Sequence, residues 1–191
     1  MLFNIPNALT WARIALIPFF VGIYYLPDSA ISAEDKNLVA TVTFIAAAVT
    51  DWFDGYLART LGQTSAFGAF LDPVADKLMV AAALIVLVHL GRVDSLIALV
   101  IIGREITISA LREWMARVGK SASVAVAYVG KLKTTAQMVA IPLLLFNAPL
   151  YGIDMRIAGN ILIYVAAALT LWSMGYYLHR AIPLLQDEAG Q

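Results

Sequence analysis

The sequence predicts an all-α integral membrane protein, a single domain over residues 1–191 built as a bundle of six transmembrane helices with both termini in the cytoplasm. Three observations carry that prediction. Hydrophobic residues make up 61% of the chain and mean hydropathy is +0.81, well above the apolar share of a soluble domain. The apolar residues fall into six runs, each comparable with the roughly 20 residues that a helix needs to cross hydrocarbon. The lysines and arginines divide unevenly between the two sides that those runs define.

The first run extends from about Thr10 to Leu26, with a short amphipathic segment expected before it, and the second from about Leu38 to Arg59. The third covers about Ala69 to Leu90 and the fourth about Asp94 to Met115. The fifth runs from about Thr134 to Phe146 and the sixth from about Ile157 to Leu178. Runs one and five are short for a full span, so polar or interfacial turns are expected to lengthen both. The start, MLFNIPNALTWAR, lacks the charged opening and small-residue cleavage site of a secretory signal, so the first run is expected to stay in the mature protein. Six spans put both termini on one side. Arg13, Arg59, Lys77, Arg104, Arg112, Arg117, Lys120, Lys131, Lys133 and Arg180 lie on or face that side, against Lys36, Arg92 and Arg156 on the other. The positive-inside rule makes the richer side cytoplasmic.

Four aspartates, Asp51, Asp54, Asp72 and Asp76, interrupt this apolar background in the stretch DWFDGYLARTLGQTSAFGAFLDPVADK. Carboxylates are costly at membrane depth and mark functional cavities. Asp51, Asp54, Gly55 and Ala58 follow i, i+3, i+4, i+7 and share one helical face. Gly68, Asp72 and Asp76 form a second stripe if the third helix starts before Gly68. Pro73 cannot donate to the carbonyl of Ala69, so the helix is expected either to begin near Asp72 or to carry a kink there. Four carboxylates brought together by two antiparallel helices cannot all stay ionised unless cations lie between them. Oxygen-only ligands suit Mg²⁺ or Mn²⁺ shared with a substrate phosphate, and two such ions can clamp an in-line phosphoryl displacement. Gly55, Ala58 and Gly68 leave room for a bulky ligand, and Arg59 can donate to a phosphate. The pattern reads as a metal-dependent phosphate-transfer site at a cytoplasmic membrane surface.

Other classes are weakened. The absence of cysteine removes disulfides, thiolate metal sites and cysteine nucleophiles. His89 and His179 lack ligand spacing, and a net charge of zero gives no argument for nucleic acid as a partner. A cation-coupled transporter would also keep acidic residues near an ion path, but no inverted repeat is visible. An intramembrane prenyltransferase would carry two separated acidic motifs and more spans. Trp11, Trp52, Trp114 and Trp172 fit an interfacial belt or helix packing. Gly103, Gly130, Gly159 and Gly175 are candidate points of close helix contact.

The stretch from Asp51 to Asp76 matches at every fixed position D-x2-D-G-x2-A-R-x8-G-x3-D-x3-D, the signature of the CDP-alcohol phosphotransferases, which the chain therefore resembles. Three further stretches, NIPNALTWARIALIPFF, IGREITISALREWM and GKLKTTAQMVA, resemble the bacterial members whose acceptor is sn-glycerol 3-phosphate. The resemblance covers nearly the whole chain. It implies two Mg²⁺ or Mn²⁺ ions per active site, one on Asp51, Asp54 and Asp72 and one on Asp51, Asp72 and Asp76. It further implies a CDP pocket lined by Gly55, Ala58, Arg59 and Gly68, with Asn7 and Thr10 near the nucleotide. The implied donor is CDP-diacylglycerol, and Asp76 would take the proton from the 1-hydroxyl of the acceptor as CMP leaves. A homodimer in the bacterial inner (cytoplasmic) membrane, among membrane lipids and with its active site facing the cytoplasm, is implied in the same way.

An acceptor that carries its own phosphate needs a second cationic cradle, for which Arg104, Arg112, Lys131 and Lys133 are the candidates. Arg104 is the strongest, because an arginine inside an apolar helix is expensive without a partner; its other reading is an ion pair with Glu105 or another acid. For Lys131 and Lys133 the other reading is topological loop charge. Thr134, Thr135 and Gln137 could bond across helices or touch the acceptor, and the sequence leaves both open. The aspartate motif does not distinguish glycerol 3-phosphate from inositol phosphate, serine or phosphatidylglycerol as acceptor.

Overall fold

The computed structural model describes residues 5–60, 66–117 and 128–189, with side chains at 5–7, 54–59, 66, 67, 69, 117, 128, 129 and 180–189 outside the description. Six α-helices follow one another: α1 (Ile5–Gly22), α2 (Ala33–Thr60), α3 (Ala66–His89), α4 (Ser95–Arg117), α5 (Tyr128–Phe146) and α6 (Met155–Ala189). A 3₁₀ turn (Ile23–Tyr25) extends α1. One departure from an all-α chain is a two-residue antiparallel ladder between α5 and α6, β1 (Pro149–Leu150) and β2 (Ile153–Asp154). Pro149 pairs with Asp154 and Leu150 with Ile153. Tyr151 and Gly152 between them have φ of 52° and 80°, the left-handed pair that closes a tight hairpin.

Local chemistry fixes the helix ends. Ser32 opens α2: its Oγ accepts from the Asp35 amide at 3.1 Å and donates to Asp35 Oδ2 at 2.7 Å. Asp94 opens α4 by accepting from the Leu96 amide at 2.7 Å, and Asp154 opens α6 by accepting from the Arg156 amide at 2.9 Å. Gly91, at φ 66°, ends α3. The amide of Arg92 bonds back to Leu87 O at 2.9 Å and that of Gly91 to Val88 O at 3.0 Å, the paired bonds of a Schellman motif.

Two helices start before their apolar runs, as the shortness of runs one and five predicts. The helix α1 starts at Ile5, so the polar turn around Asn7 belongs to the first helix instead of preceding it. The fifth helix starts at Tyr128, six residues before the apolar run, so Lys131 and Lys133 ride on it. Both extensions supply the length the apolar runs lacked. Pro73 sits inside α3, seven residues after its start and beyond the first turn, so it leaves the Ala69 carbonyl without its helical donor yet does not end the helix. Gly68, Asp72 and Asp76 therefore do occupy one helix. Gly103 and Gly175 have no atom within 4 Å of where a Cβ would stand, so neither is a point of close helix contact.

The chain divides into two compact units, Met1–Arg92 with Ile141–Arg156, and Val93–Ala140 with Ile157–Gln191. In the first, α1 packs on both α2 and α3, which also meet each other. Phe20, Ala40, Phe44, Ala47, Ala75 and Ala83 are buried there; the alanines allow close helix approach. Arg92 ties the end of α5 into this unit: Nη1 donates to Leu144 O at 3.1 Å and Leu145 O at 2.8 Å, and Nη2 to Asn37 Oδ1 at 2.9 Å. These carbonyls lie in the last turn of α5, where no further helical amide meets them. In the second unit Ile101, Ile108, Met115, Ile163 and Ala166 are buried.

Polar side chains are buried alongside this apolar core, and large apolar ones are exposed. Thr10, Arg13, Asn37, Thr41 and Thr43 are buried in the first unit, while Leu38, Val42, Ile45, Val49 and Trp52 form an exposed apolar stripe along α2 at alternating steps of four and three. Among the described residues two segments, Ala8–Tyr25 and Met155–His179, are long and apolar enough to cross a membrane by length and composition. The other helices carry charge within them: Asp51 and Asp54 late in α2, Asp72, Asp76 and Lys77 early in α3, Arg104 and Glu105 in mid-α4, Lys131 and Lys133 early in α5.

Candidate active site

The acidic motif lies on α2 and α3, two helices in contact within the first unit. Asp51, Asp72 and Asp76 are all partly buried. The side chains of Asp54, Gly55, Ala58 and Arg59, like that of Asn7, lie outside the described residues; Gly68 is buried in α3. Among the described residues, no three carboxylate or imidazole groups gather closely enough to hold a metal. The donor chemistry nevertheless fits a hard divalent cation, because three oxygen-bearing side chains stand on two packed helices with no sulfur and no imidazole beside them in the motif.

A third helix orients these carboxylates. Thr10 and Arg13, three residues apart on one face of α1, are fully or almost fully buried. Thr10 Oγ1 donates to Asp72 Oδ1 at 2.5 Å, and Arg13 Nη1 donates to Asp51 Oδ1 at 2.6 Å. Arg13 is 1% exposed and Asp51 40%, so the carboxylate is anchored from the protein side while remaining open on another. Charge-assisted bonds of this length fix carboxylate rotamers. Sequence reasoning placed Thr10 near a nucleotide and counted Arg13 only as cytoplasmic charge; the structure sets both against the aspartates. The signal available in the sequence was their i, i+3 spacing on an apolar helix.

The second unit holds a cationic cluster. Arg104 on α4 is 7% exposed; its Nη1 lies 3.4 Å from Glu105 Oε1 and its Nη2 donates to Ser173 Oγ on α6 at 3.3 Å. Lys133 on α5, 2% exposed, donates to the same Glu105 oxygen. Among the described residues one carboxylate thus serves two buried cations. Arg112 Nη2 donates to the hydroxyl of fully buried Tyr177 at 2.9 Å. The Tyr177 ring centroid lies 5.6 Å from the Arg104 guanidinium carbon and 5.3 Å from that of Arg112, so one aromatic ring contacts both cations.

Three of the four cradle candidates are thereby brought together. Lys131 is exposed and joins none of these contacts, because residues two apart on a helix point to different faces. The ion-pair reading of Arg104 is also present, through Glu105. Ser173 and Tyr177 were missed as members of the cluster; Tyr177 lies 65 residues from Arg112, and no local pattern announces such a contact.

Comparison with known proteins adds the family. Residues 3–172 match the model of the CDP-alcohol phosphatidyltransferase family. The chain is 51% identical over 189 residues to the CDP-diacylglycerol–glycerol-3-phosphate 3-phosphatidyltransferase of Haemophilus influenzae, covering 98% of each. It is 51% identical over 191 residues to the proteins of the same name from Escherichia coli K12 and Salmonella paratyphi A, covering 98% of this chain and all of theirs.

Proposed function

The chain belongs to the CDP-alcohol phosphatidyltransferase family, and from that premise we propose that it transfers the phosphatidyl group of CDP-diacylglycerol to the 1-hydroxyl of sn-glycerol 3-phosphate. The products are phosphatidylglycerophosphate and CMP. The observation that carries this reading is 51% identity along essentially the whole chain to enzymes named for that donor and acceptor. The second observation is a separate cationic cluster, which a phosphorylated acceptor calls for and a neutral alcohol does not.

Asp51, Asp54, Asp72 and Asp76 would hold two Mg²⁺ or Mn²⁺ ions. When bound, these ions would neutralise the donor diphosphate and the charge that develops on departing CMP. Arg13 keeps one oxygen of Asp51 turned inward, and Thr10 does the same for Asp72, so two of the four carboxylates are oriented before substrate arrives. Gly55, Ala58 and Gly68 give space for CDP, and Arg59 donates to its phosphates. Asp76 accepts the proton of the 1-hydroxyl. The new bond joins that oxygen to the phosphorus bearing the diacylglycerol, and the bond from this phosphorus to the bridging oxygen breaks with its electron pair on CMP. Arg104, Arg112 and Lys133, with Lys131 at the rim, hold the acceptor phosphate.

Membrane residence is a property of the family. We place all six helices across the bacterial inner membrane with both termini cytoplasmic. The exposed apolar stripe of α2, the exposed Trp11, Trp52 and Trp172, and the buried polar side chains all support that placement. The homodimer rests on the family resemblance.

The test is CMP release by the purified protein in detergent with Mg²⁺, CDP-diacylglycerol and one acceptor at a time. Release that requires glycerol 3-phosphate and stops with EDTA is expected. Release with inositol phosphate or serine instead would keep the chemistry and overturn the acceptor. No release with any acceptor, from folded protein, would overturn the enzyme reading.

A further inference from the structure

Two buried polar atoms of the second unit have no hydrogen-bond partner: Arg104 Nε and Gln137 Oε1. Gln137 is 3% exposed and lies one helical turn after Lys133 on α5. Residues four apart share a helix face, so Gln137 stands on the same face of α5 as Lys133, one turn further on. A buried carbonyl oxygen left without a donor is costly and rare, and its retention asks for a partner that the described residues do not supply.

Its neighbours on α5 are already occupied. Thr134 Oγ1 donates to Gly130 O at 3.0 Å and Thr135 Oγ1 to Lys131 O at 3.1 Å, and both residues are exposed. Of the three polar residues after Lys133, only Gln137 is both buried and unmet. The two orphans are also complementary in kind: Arg104 Nε is a cationic donor suited to a phosphate oxygen, whereas Gln137 Oε1 is a neutral acceptor suited to a hydroxyl.

We propose that Gln137 determines acceptor specificity, its side-chain carbonyl accepting a hydrogen bond from the 2-hydroxyl of a glycerol phosphate whose phosphate rests on Lys133 and Arg104. The proposal rests on the acceptor reading above. Glycerol 3-phosphate has three polar groups. Its phosphate takes the cations and its 1-hydroxyl is the nucleophile, which leaves the 2-hydroxyl in need of an acceptor. Only two bonds separate the 2-hydroxyl carbon from the phosphate ester oxygen, a reach suited to groups one helical turn apart. A site built around a substrate hydroxyl rejects the analogue lacking it, because the protein acceptor is then buried unpaired.

The experiment compares kcat/KM for sn-glycerol 3-phosphate and for 3-hydroxypropyl phosphate, which lacks only the 2-hydroxyl. Both are measured with the full-length wild type and with Gln137→Met, which keeps the side-chain length without the amide. Wild type should prefer glycerol 3-phosphate by about tenfold or more. In Q137M the ratio should fall to within about threefold of unity, through a higher KM for glycerol 3-phosphate, with the KM for CDP-diacylglycerol unchanged. An unchanged ratio in folded Q137M would overturn the proposal, as would equal loss on both acceptors, the mark of a structural role. Equal use of both acceptors by wild type would overturn it whatever the variant does. No turnover of glycerol 3-phosphate by wild type would instead sink the activity reading, and this inference with it.

Discussion

Thr10→Val tests whether α1 organises the metal ligands. The Thr10 hydroxyl is fully buried and donates to Asp72 Oδ1 at 2.5 Å; valine keeps the branched shape and removes only that donor. A hydrogen bond to a charged group contributes about 1.5–3 kcal/mol. Asp72 is partly exposed and water can replace part of the loss, so the fold should survive. What water does not replace is the fixed carboxylate rotamer, and removing such an orienting partner costs roughly ten- to a hundredfold in metal affinity. At about 1.4 kcal/mol per factor of ten, the two ranges agree. The assay is CMP release against free Mg²⁺ at saturating lipid and acceptor. Half-saturation should move to roughly tenfold or higher Mg²⁺, with most of kcat recovered at high metal and Thr10→Ser close to wild type. An unchanged metal curve with a raised KM for CDP-diacylglycerol would refute this reasoning and return Thr10 to the nucleotide.

Asp76→Asn should lower kcat by about a hundredfold or more while leaving the thermal midpoint near wild type, since it removes the proposed base and one metal ligand; turnover within a few-fold of wild type would exclude that role. Arg92→Met should leave the KM values unchanged but destabilise the folded state by about 3 kcal/mol or more, read as a lower thermal midpoint in detergent. The reason is that two carbonyls at the end of α5 and the Asn37 amide oxygen lose their charged donor together. Arg104→Ala should raise the KM for glycerol 3-phosphate without changing that for CDP-diacylglycerol; equal loss of donor affinity would favour its ion pair with Glu105 as a purely structural contact.

The parts of this molecule that were legible in sequence are those set by helical spacing. Gly68, Asp72 and Asp76 repeat every four residues, so any helix that begins before Gly68 aligns them, and α3 does. The six helices were visible as apolar runs because the hydrophobic signal is summed over many residues. Contacts between helices were not visible. Thr10 meets Asp72 across 62 residues and Arg13 meets Asp51 across 38, and their i, i+3 spacing says that they share a face without saying which side chains that face meets. Lys131 and Lys133 could have been separated beforehand, since a spacing of two on a helix divides buried from exposed. They were grouped because the apolar run began after both, which hid the first six residues of α5.

Among the described residues one polar centre is built around carboxylates and the other around cations, and this bears on why the chain retains them. In the first unit one buried guanidinium, Arg13, reaches an acidic motif of four aspartates. In the second, one carboxylate, Glu105, is shared by buried Arg104 and Lys133, with Arg112 held nearby on Tyr177. Taking ionised groups out of water is costly even when they are paired, so neither arrangement is explained by packing alone. Divalent cations would complete the first and a phosphate dianion the second. Each ligand should therefore stabilise the protein separately, by mass action on the folded state. Mg²⁺ and glycerol 3-phosphate should each raise the thermal midpoint when added alone, and Asp51→Asn should blunt the response to metal while sparing the response to the phosphate. A chain whose buried charges served only packing would show neither shift.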